Sequence, residues 1–315
     1  MEKLLLRACS DDLLSAPHFP ALPSGWPFHM AVVAVALPVG CAPPEGLAAR
    51  VASGAGVSRA EAAFRALMEG AERYALQYSA TRPARLGPLA TAGGPPEDES
   101  VTRLTLGAPG GEGVTSRGTA AGEKLRDARD RACLETLEHL ALDRLAEGDG
   151  ATFHSVQLPE LMPYRGYLDG QLRRLSLWMA AGPQHVVAIA LTADRNGGRP
   201  TVGSAAGQEP RQTAMRAVEE AMFLWRNMVE MERRGVPVPM GPGGDAARLY
   251  RGAVPTPGWL DALTARGGEG RAPPQPVADS APLIETVARL AGRRVRLFDM
   301  TVSPLPVPVA RVVLG

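Results

Sequence analysis

Several things are scarce in this sequence of 315 residues, and each scarcity removes a class of function. Neither sign of charge is in excess: 34 Lys and Arg stand against 33 Asp and Glu, so no basic field marks the chain for nucleic acid or an anionic membrane. Aromatic residues make up 5%, too few for a platform on which single strands could stack. Cys9, Cys41 and Cys133 are far apart, odd in number and form no Cys-x-x-Cys pair, so a reduced, cytoplasmic setting is expected. The five histidines show no paired metal-ligand spacing. The longest apolar run, Met30 to Pro38, falls far short of a membrane span, and Arg7 follows three leucines too soon for a signal sequence. A soluble intracellular protein is the expectation.

What the chain does have is one template written three times. With Gly56, Gly122 and Gly207 in register, Ser53, Thr119 and Ser204 coincide three residues earlier. Arg65, Arg131 and Arg216 coincide nine residues later, each followed by Ala66, Ala132 or Ala217, and Glu69, Glu135 and Glu220 coincide four residues after each Arg. One helical turn further on, two copies carry a second acid, Glu72 and Glu138, where the third has Phe223.

Around this template strands and helices alternate. Met30–Leu37 reads as a buried strand and Ala49–Ala52 as a second. Ser58 with Glu61 forms a capping box for a helix to about Tyr78. The alternating run Val101–Leu106 reads as a strand, and a glycine-bearing turn at 116–122 opens an amphipathic helix from about Lys124 to Ala146. Leu175–Met179 and His185–Leu191 read as strands, the latter joined by a hairpin turn at 194–198 to Thr201-Val202. The third template helix spans about 211–234. A helix at 283–290 and strands at 295–298 and 307–313 finish the chain. The class is α/β, with mixed sheets and three related turn-helix units. Residues 1–28 are taken as an N-terminal segment and 29–315 as one domain, whose loops 92–100, 235–244 and 267–282 are expected to be mobile.

Two Glu-x-x-Glu pairs behind similar turns point to a convergence of acids. Like charges cannot gather in a fold without a compensating cation, and a hard divalent ion such as Mg2+ suits an all-oxygen set and usually brings phosphates. The plainer reading is a solvated ion-pair ladder, Asp127, Arg131, Glu135 and His139 being spaced at four-residue steps. Cys133, Trp178 and Trp225 read as core.

These residues resemble the YcaO family, whose members show a Gly-Lys-Gly turn before a helix bearing Glu-x-x-Glu-Arg. Here that looks like Gly54-Ala55-Gly56, then Glu69-Gly70-Ala71-Glu72-Arg73. The family's Ser-Asn-Gly-x-Ala-Ala-Gly-Asn motif, followed by an acid and a second Glu-x-x-Glu-Arg, is similar to Ser116–Glu123, then Asp127, Glu135, Glu138 and His139. The later Ala-Leu-x-Glu-Ala helix is similar to Ala217–Ala221, and the terminal strand to Val307–Val313. The likeness runs from about Ala31 to the end.

The resemblance implies ATP-dependent activation of a peptide backbone amide, giving azolines, thioamides or amidines. It implies ATP and Mg2+, with Glu69, Glu72, Asp127, Glu135 and Glu138 holding the metal. Ser53, Arg73, Glu123, His139 and Arg311 would line the nucleotide; for Arg311 a plain surface position on an edge strand is an equal alternative. It also implies a substrate peptide or protein, a partner protein of such a system, and a homodimeric option, with neither nucleic acid nor membrane as partner. No catalytic residue is assigned. The departures are Ala55 for the turn Lys, Arg117 and Glu123 for Asn, His139 for the second Arg, and Phe223 on the third helix. A scaffold subunit that has lost turnover is the competing expectation. One point weighs against it: losing catalysis would leave no reason to keep five acids on the template.

Overall fold

The computed structural model describes residues 12–38, 41, 50–77, 79, 81–108, 114–148, 153–238, 244–265, 270–303 and 305–315. Cys9, Pro43, Pro44, Gly110, Gly111, Pro239, Pro242 and the first residues of the 267–282 loop lie outside the described residues. In chain order the elements are β1 (His29–Ala34), β2 (Val51–Gly56), α1 (Arg59–Leu76), β3 (Arg85–Leu86), β4 (Ala90–Ala92), β5 (Glu99–Ser100), α2 (Val101–Leu104), β6 (Thr119–Ala121) and α3 (Leu125–Ala146). Then follow β7 (His154–Ser155), α4 (Met162–Gly170), β8 (Arg173–Gly182), β9 (His185–Asp194), β10 (Thr201–Gly207), α5 (Pro210–Arg233), α6 (Asp245–Tyr250), α7 (Gly258–Ala265), α8 (Leu283–Ala291), β11 (Val295–Asp299) and β12 (Val309–Leu314).

Two compact units divide the chain. The first holds residues up to Leu22, Phe28–Leu137 and Ser280–Gly315; the second holds Pro23–Pro27 and Glu138–Asp279. Helix α3 gives its residues up to Leu137 to the first and the remainder to the second. In the first unit β4-β11-β12-β6 form an antiparallel sheet, with β1-β2 and β3-β5 as smaller pairs. In the second, β10-β9-β8-β7 form one antiparallel sheet, in which β8 and β9 pair over ten residues each.

The template is a strand, a two-residue turn and a helix. Its small residues up to the glycine lie in β2, β6 and β10; the turns are Val57-Ser58, Glu123-Lys124 and Gln208-Glu209. Small residues are needed because strand lies on helix with nothing between. A Cβ on Gly54 would fall 2.3 Å from the Ala66 nitrogen, and one on Gly203 would fall 2.2 Å from the Ala217 oxygen and 2.4 Å from the Ala221 nitrogen. Gly122 meets the Ala128 nitrogen at 2.3 Å in the same way. Ala62, Ala66, Ala128, Ala132, Ala217 and Ala221 are wholly buried on the helix side of these contacts. Each helix start is fixed locally. Ser58 Oγ accepts from the Glu61 N–H at 3.1 Å while the Glu61 carboxylate accepts from Val57, and the Glu209 carboxylate accepts from the Gln212 N–H at 2.7 Å.

The run at 101–106 differs from the sequence expectation. It is the short helix α2, with Glu99-Ser100 forming the strand before it, because Val101 and Leu104 are spaced to bury one helical face and the Thr105 hydroxyl donates back to the Val101 carbonyl. Cys133, Trp178 and Trp225 are core residues, and burial pushes the Cys133 thiol up to about 12, which removes it as a nucleophile. The segment 93–99 is tied to β11: Arg294 Nη1 meets Glu97 at 2.7 Å and Arg296 Nη2 meets Glu99 at 2.7 Å, the latter pair buried on both sides. In the second unit the buried Arg173 spends its guanidinium on Asp194, Thr192 and the Arg199 carbonyl, lying over the Trp225 ring at 4.8 Å. Among the described residues no helix is long and apolar enough to cross a membrane.

The strand-on-helix contact gives a direct test. Gly203→Ala should lower stability by about 3 kcal/mol, since the methyl meets backbone that cannot step aside. Gly166→Ala, in α4 with open space around it, should gain about 0.5 kcal/mol. Denaturant midpoints of the two variants measure the contrast.

Candidate functional site

In the first unit Glu69, Glu72 and Glu135 come together. Glu72 stands one helical turn beyond Glu69 on α1 and feels the charge of both Glu69 and Glu135. Burial, then these two neighbouring carboxylates, raise its pKa well above the usual 4.5, against the lowering effect of a backbone N–H. That N–H belongs to Ala121 and reaches Glu72 Oε1 at 2.8 Å. Three acids on two template helices thus act on one another, with the Arg73 guanidinium already on Glu69 at 2.8 Å and Arg311 drawn to Glu135; a hard cation is the further kind of group that suits an all-oxygen set. Among the described residues no three His, Cys, Asp or Glu side chains stand as a ready-made metal set.

Glu138 is met differently. In the second unit its Oε1 accepts from the Ser204 hydroxyl at 2.6 Å and its Oε2 accepts from the Ala206 N–H at 3.0 Å. Burial still raises its pKa, although Ser204, the Arg216 charge and Ala206 all pull the other way. Glu220, the third-copy counterpart of Glu69, accepts from the Ser204 N–H at 2.8 Å. Asp127 accepts from the Lys124 N–H at 3.1 Å and so closes the first turn of α3. It lies eight residues before Glu135, about 12 Å along the helix axis.

The acids therefore have a structural duty that the spacing did not reveal. Strands β6 and β10 are the edges of their sheets, so alternate N–H groups along them have no strand partner. Glu72 takes one on β6, while Glu138 and Glu220 take two, at Ser204 and Ala206, on β10. Capping an open strand edge thus gives Glu72 and Glu138 a use that needs no ion.

Of the residues expected on the nucleotide, Ser53 lies within β2 opposite Val32, half-buried. Arg73 Nε is held by Glu69 Oε1 at 2.8 Å along α1. Glu123 is an exposed turn residue, and His139 is half-buried on α3 in the second unit. Arg311 is neither exposed nor on an edge strand, which overturns the surface alternative: β12 lies between β11 and β6, and Arg311 is 6% exposed. Its Nη1 donates to the Leu104 carbonyl at 3.0 Å and its Nη2 to Thr115 at 2.8 Å, while its buried Nε has no hydrogen-bond partner. Burial lowers its pKa to about 10, against the attraction of Glu135. Ser204, Arg216 and the amides of Ala121 and Ala206 were not among the expected site residues. For Ser204 the signal was present, since it shares the template position of Ser53.

One prediction follows from the crowded acids. A carboxyl whose folded pKa is raised adds stability that is complete below its unfolded value of 4.5 and is lost as pH rises through the folded value. Thermal midpoints of the metal-free protein should therefore fall as pH is raised from about 4.5, and Glu72→Gln, neutral at every pH, should flatten that fall.

No family model and no curated protein matches the sequence. Solved structures do match in fold. One is YcaO from Methanopyrus kandleri bound with AMPPCP and Mg2+, 17% identical, with 99% of this chain and 90% of that one aligned at a TM-score of 0.63. A second is a heterocyclase in complex with substrate and cofactor, 14% identical, aligned over 96% of this chain but only 50% of its own at a TM-score of 0.68. A third is the E. coli microcin synthetase McbBCD complex, 11% identical, with 95% and 87% aligned at 0.67. Alignment over nearly the whole chain shows that this protein has a YcaO-like fold.

Proposed function

We propose that the chain is an ATP- and Mg2+-dependent enzyme that activates a backbone amide of a peptide or protein substrate, as a cyclodehydratase or thioamide-forming enzyme of peptide natural-product biosynthesis or protein modification. The observation that carries this is the mutual influence of Glu69, Glu72 and Glu135 on two template helices, where burial and then the two neighbouring carboxylates raise the Glu72 pKa. Two neighbours in fold support it, one bound with AMPPCP and Mg2+ and one in complex with substrate and cofactor.

An amide oxygen leaves only once it is made a phosphate ester. Attack of a thiol, hydroxyl or other nucleophile on the amide carbon gives a tetrahedral adduct; its oxygen takes the γ-phosphoryl group with departure of ADP, and phosphate then leaves with the former amide oxygen. Bound Mg2+ would offset charge on the transferring phosphoryl group. Glu69, Glu72 and Glu135 would hold it, and Asp127, about 12 Å further along α3, would serve a different point on the triphosphate or a second ion. Arg73 keeps Glu69 turned along α1, and Arg311 sits buried near Glu135 with its Nε unused. The substrate is a peptide or protein, and a partner protein of the same system fits the reading, since one neighbour is a multi-protein synthetase complex. The cytoplasm is the proposed setting.

A second reading, a scaffold or peptide-binding subunit that has lost turnover, is favoured by one observation. The guanidinium groups expected near phosphate are already engaged, Arg311 on two carbonyls and Arg73 on Glu69. Calorimetric titration with ATP and Mg2+ separates the two. Binding is expected, and no heat at millimolar nucleotide would falsify the enzyme reading. Glu69→Gln and Glu135→Gln should each weaken Mg2+-dependent ATP binding by about tenfold or more, because each removes a charged ligand from the ion; unchanged affinity would reject the ligand assignment.

A further inference from the structure

The second acids of the two Glu-x-x-Glu pairs obey one rule across the copies. Glu72, from the first copy's helix, accepts the Ala121 N–H of the second copy's strand; Glu138, from the second copy's helix, accepts the Ala206 N–H of the third copy's strand. Ala121 and Ala206 occupy the same template position, one before the register glycine. Two residues earlier stand Thr119 and Ser204. A strand turns the side chain and the amide of alternate residues to repeating directions, so hydroxyl and N–H two residues apart can serve one carboxylate. In the third copy they do: Ser204 Oγ and Ala206 N grip the two oxygens of Glu138. In the second copy the matching hydroxyl, Thr119 Oγ1, is buried, on a residue 2% exposed, and has no hydrogen-bond partner. A buried hydroxyl with no partner is costly, and its counterpart shows which group it is placed to serve.

We propose that Ser204 with Ala206, and Thr119 with Ala121, are two-point cradles that orient Glu138 and Glu72, making Ser204 and Thr119 positioning residues for these acids. A carboxylate offers about four lone-pair sites, and the Glu138 cradle occupies two, one on each oxygen, leaving one on each. A carboxylate so held has its rotamer fixed before a cation arrives, and hydrogen bonds of this kind behind a metal-binding carboxylate are worth about 10- to 100-fold in metal affinity. The third helix has Phe223 at the corresponding position, so the relay of acid to next strand is made twice and carries no third acid. The link to the cation rests on the ATP- and Mg2+-dependent reading; the cradle itself does not.

Two measurements keep these apart. In the metal-free, nucleotide-free protein, thermal midpoints of Ser204→Ala, Glu138→Leu and the double variant test the cradle. The double variant should unfold with Glu138→Leu alone, because leucine offers the hydroxyl no acceptor; shifts that simply add would overturn the cradle. If Ser204→Ala does not fold, Ser204→Cys, of similar size and a weak donor, takes its place in the cycle and is judged in the same way. Titration with Mg2+ and ATP then tests positioning at the first-unit cradle, whose Glu72 is among the proposed ligands: Thr119→Val should weaken binding about tenfold and Thr119→Ser, which keeps the hydroxyl, should restore it. Unchanged affinity in Thr119→Val, with the thermal cycle coupled, would show a purely structural clamp and overturn the positioning role. A wild-type chain that binds no nucleotide defeats the ATP-dependent reading instead, and leaves the thermal cycle to decide the cradle.

Discussion

A strand laid bare against a helix, backbone to backbone, is the constraint on which the rest of this structure depends. Gly54 and Gly203 leave no room for a single carbon between strand and helix, and the alanines opposite them are wholly buried. Contact that close fixes the angle and register of each helix on its strand. The acidic positions on α1, α3 and α5 are then set by geometry rather than by the flexibility of their side chains. An added methyl would push the helix away and take the acids out of reach of the strand edges they now cap.

Edge strands give those acids their first task. A sheet edge exposes amides that must find an acceptor, and β6 and β10 find theirs in carboxylates from helices. Carboxylates are also hard oxygen donors, and in the first unit Glu72 acts on Glu69 and Glu135, with Arg73 on Glu69 and Arg311 drawn to Glu135. Structural capping and metal binding are therefore compatible uses of one set of residues, because a carboxylate has lone pairs enough for both. What distinguishes them is charge: capping one amide needs a single acceptor, whereas repulsion from Glu69 and Glu135 adds to the burial that raises the Glu72 pKa.

The arginines show how burial redirects a residue that composition would assign to a ligand. Arg311 resembles a phosphate partner by position, yet β12 is an inner strand and the guanidinium is committed to the Leu104 and Thr115 carbonyls. Arg173 does the equivalent work in the second unit, tying β8 to the hairpin at 194–199. In both cases a long cation stitches together backbone groups that the sheets leave unpaired.

Much of the architecture was written in local pattern. The caps at Ser58, the apolar spacing of α1, α3 and α5, the Val-rich strands β1 and β9 and the three-fold template all follow from periodicity and propensity, which act over a few residues. The short helix α2 did not, since a run of four to six alternating residues fits either period and its neighbours decide. The sequence by itself determined that acids recur at Glu69, Glu72, Glu135 and Glu138 on helices behind small-residue segments. Only the tertiary structure decided that Glu72 meets Ala121, that Glu138 meets Ser204 and Ala206, and that Arg311 is buried, because a hydrogen bond between residues 49 or 68 positions apart depends on which elements pack together.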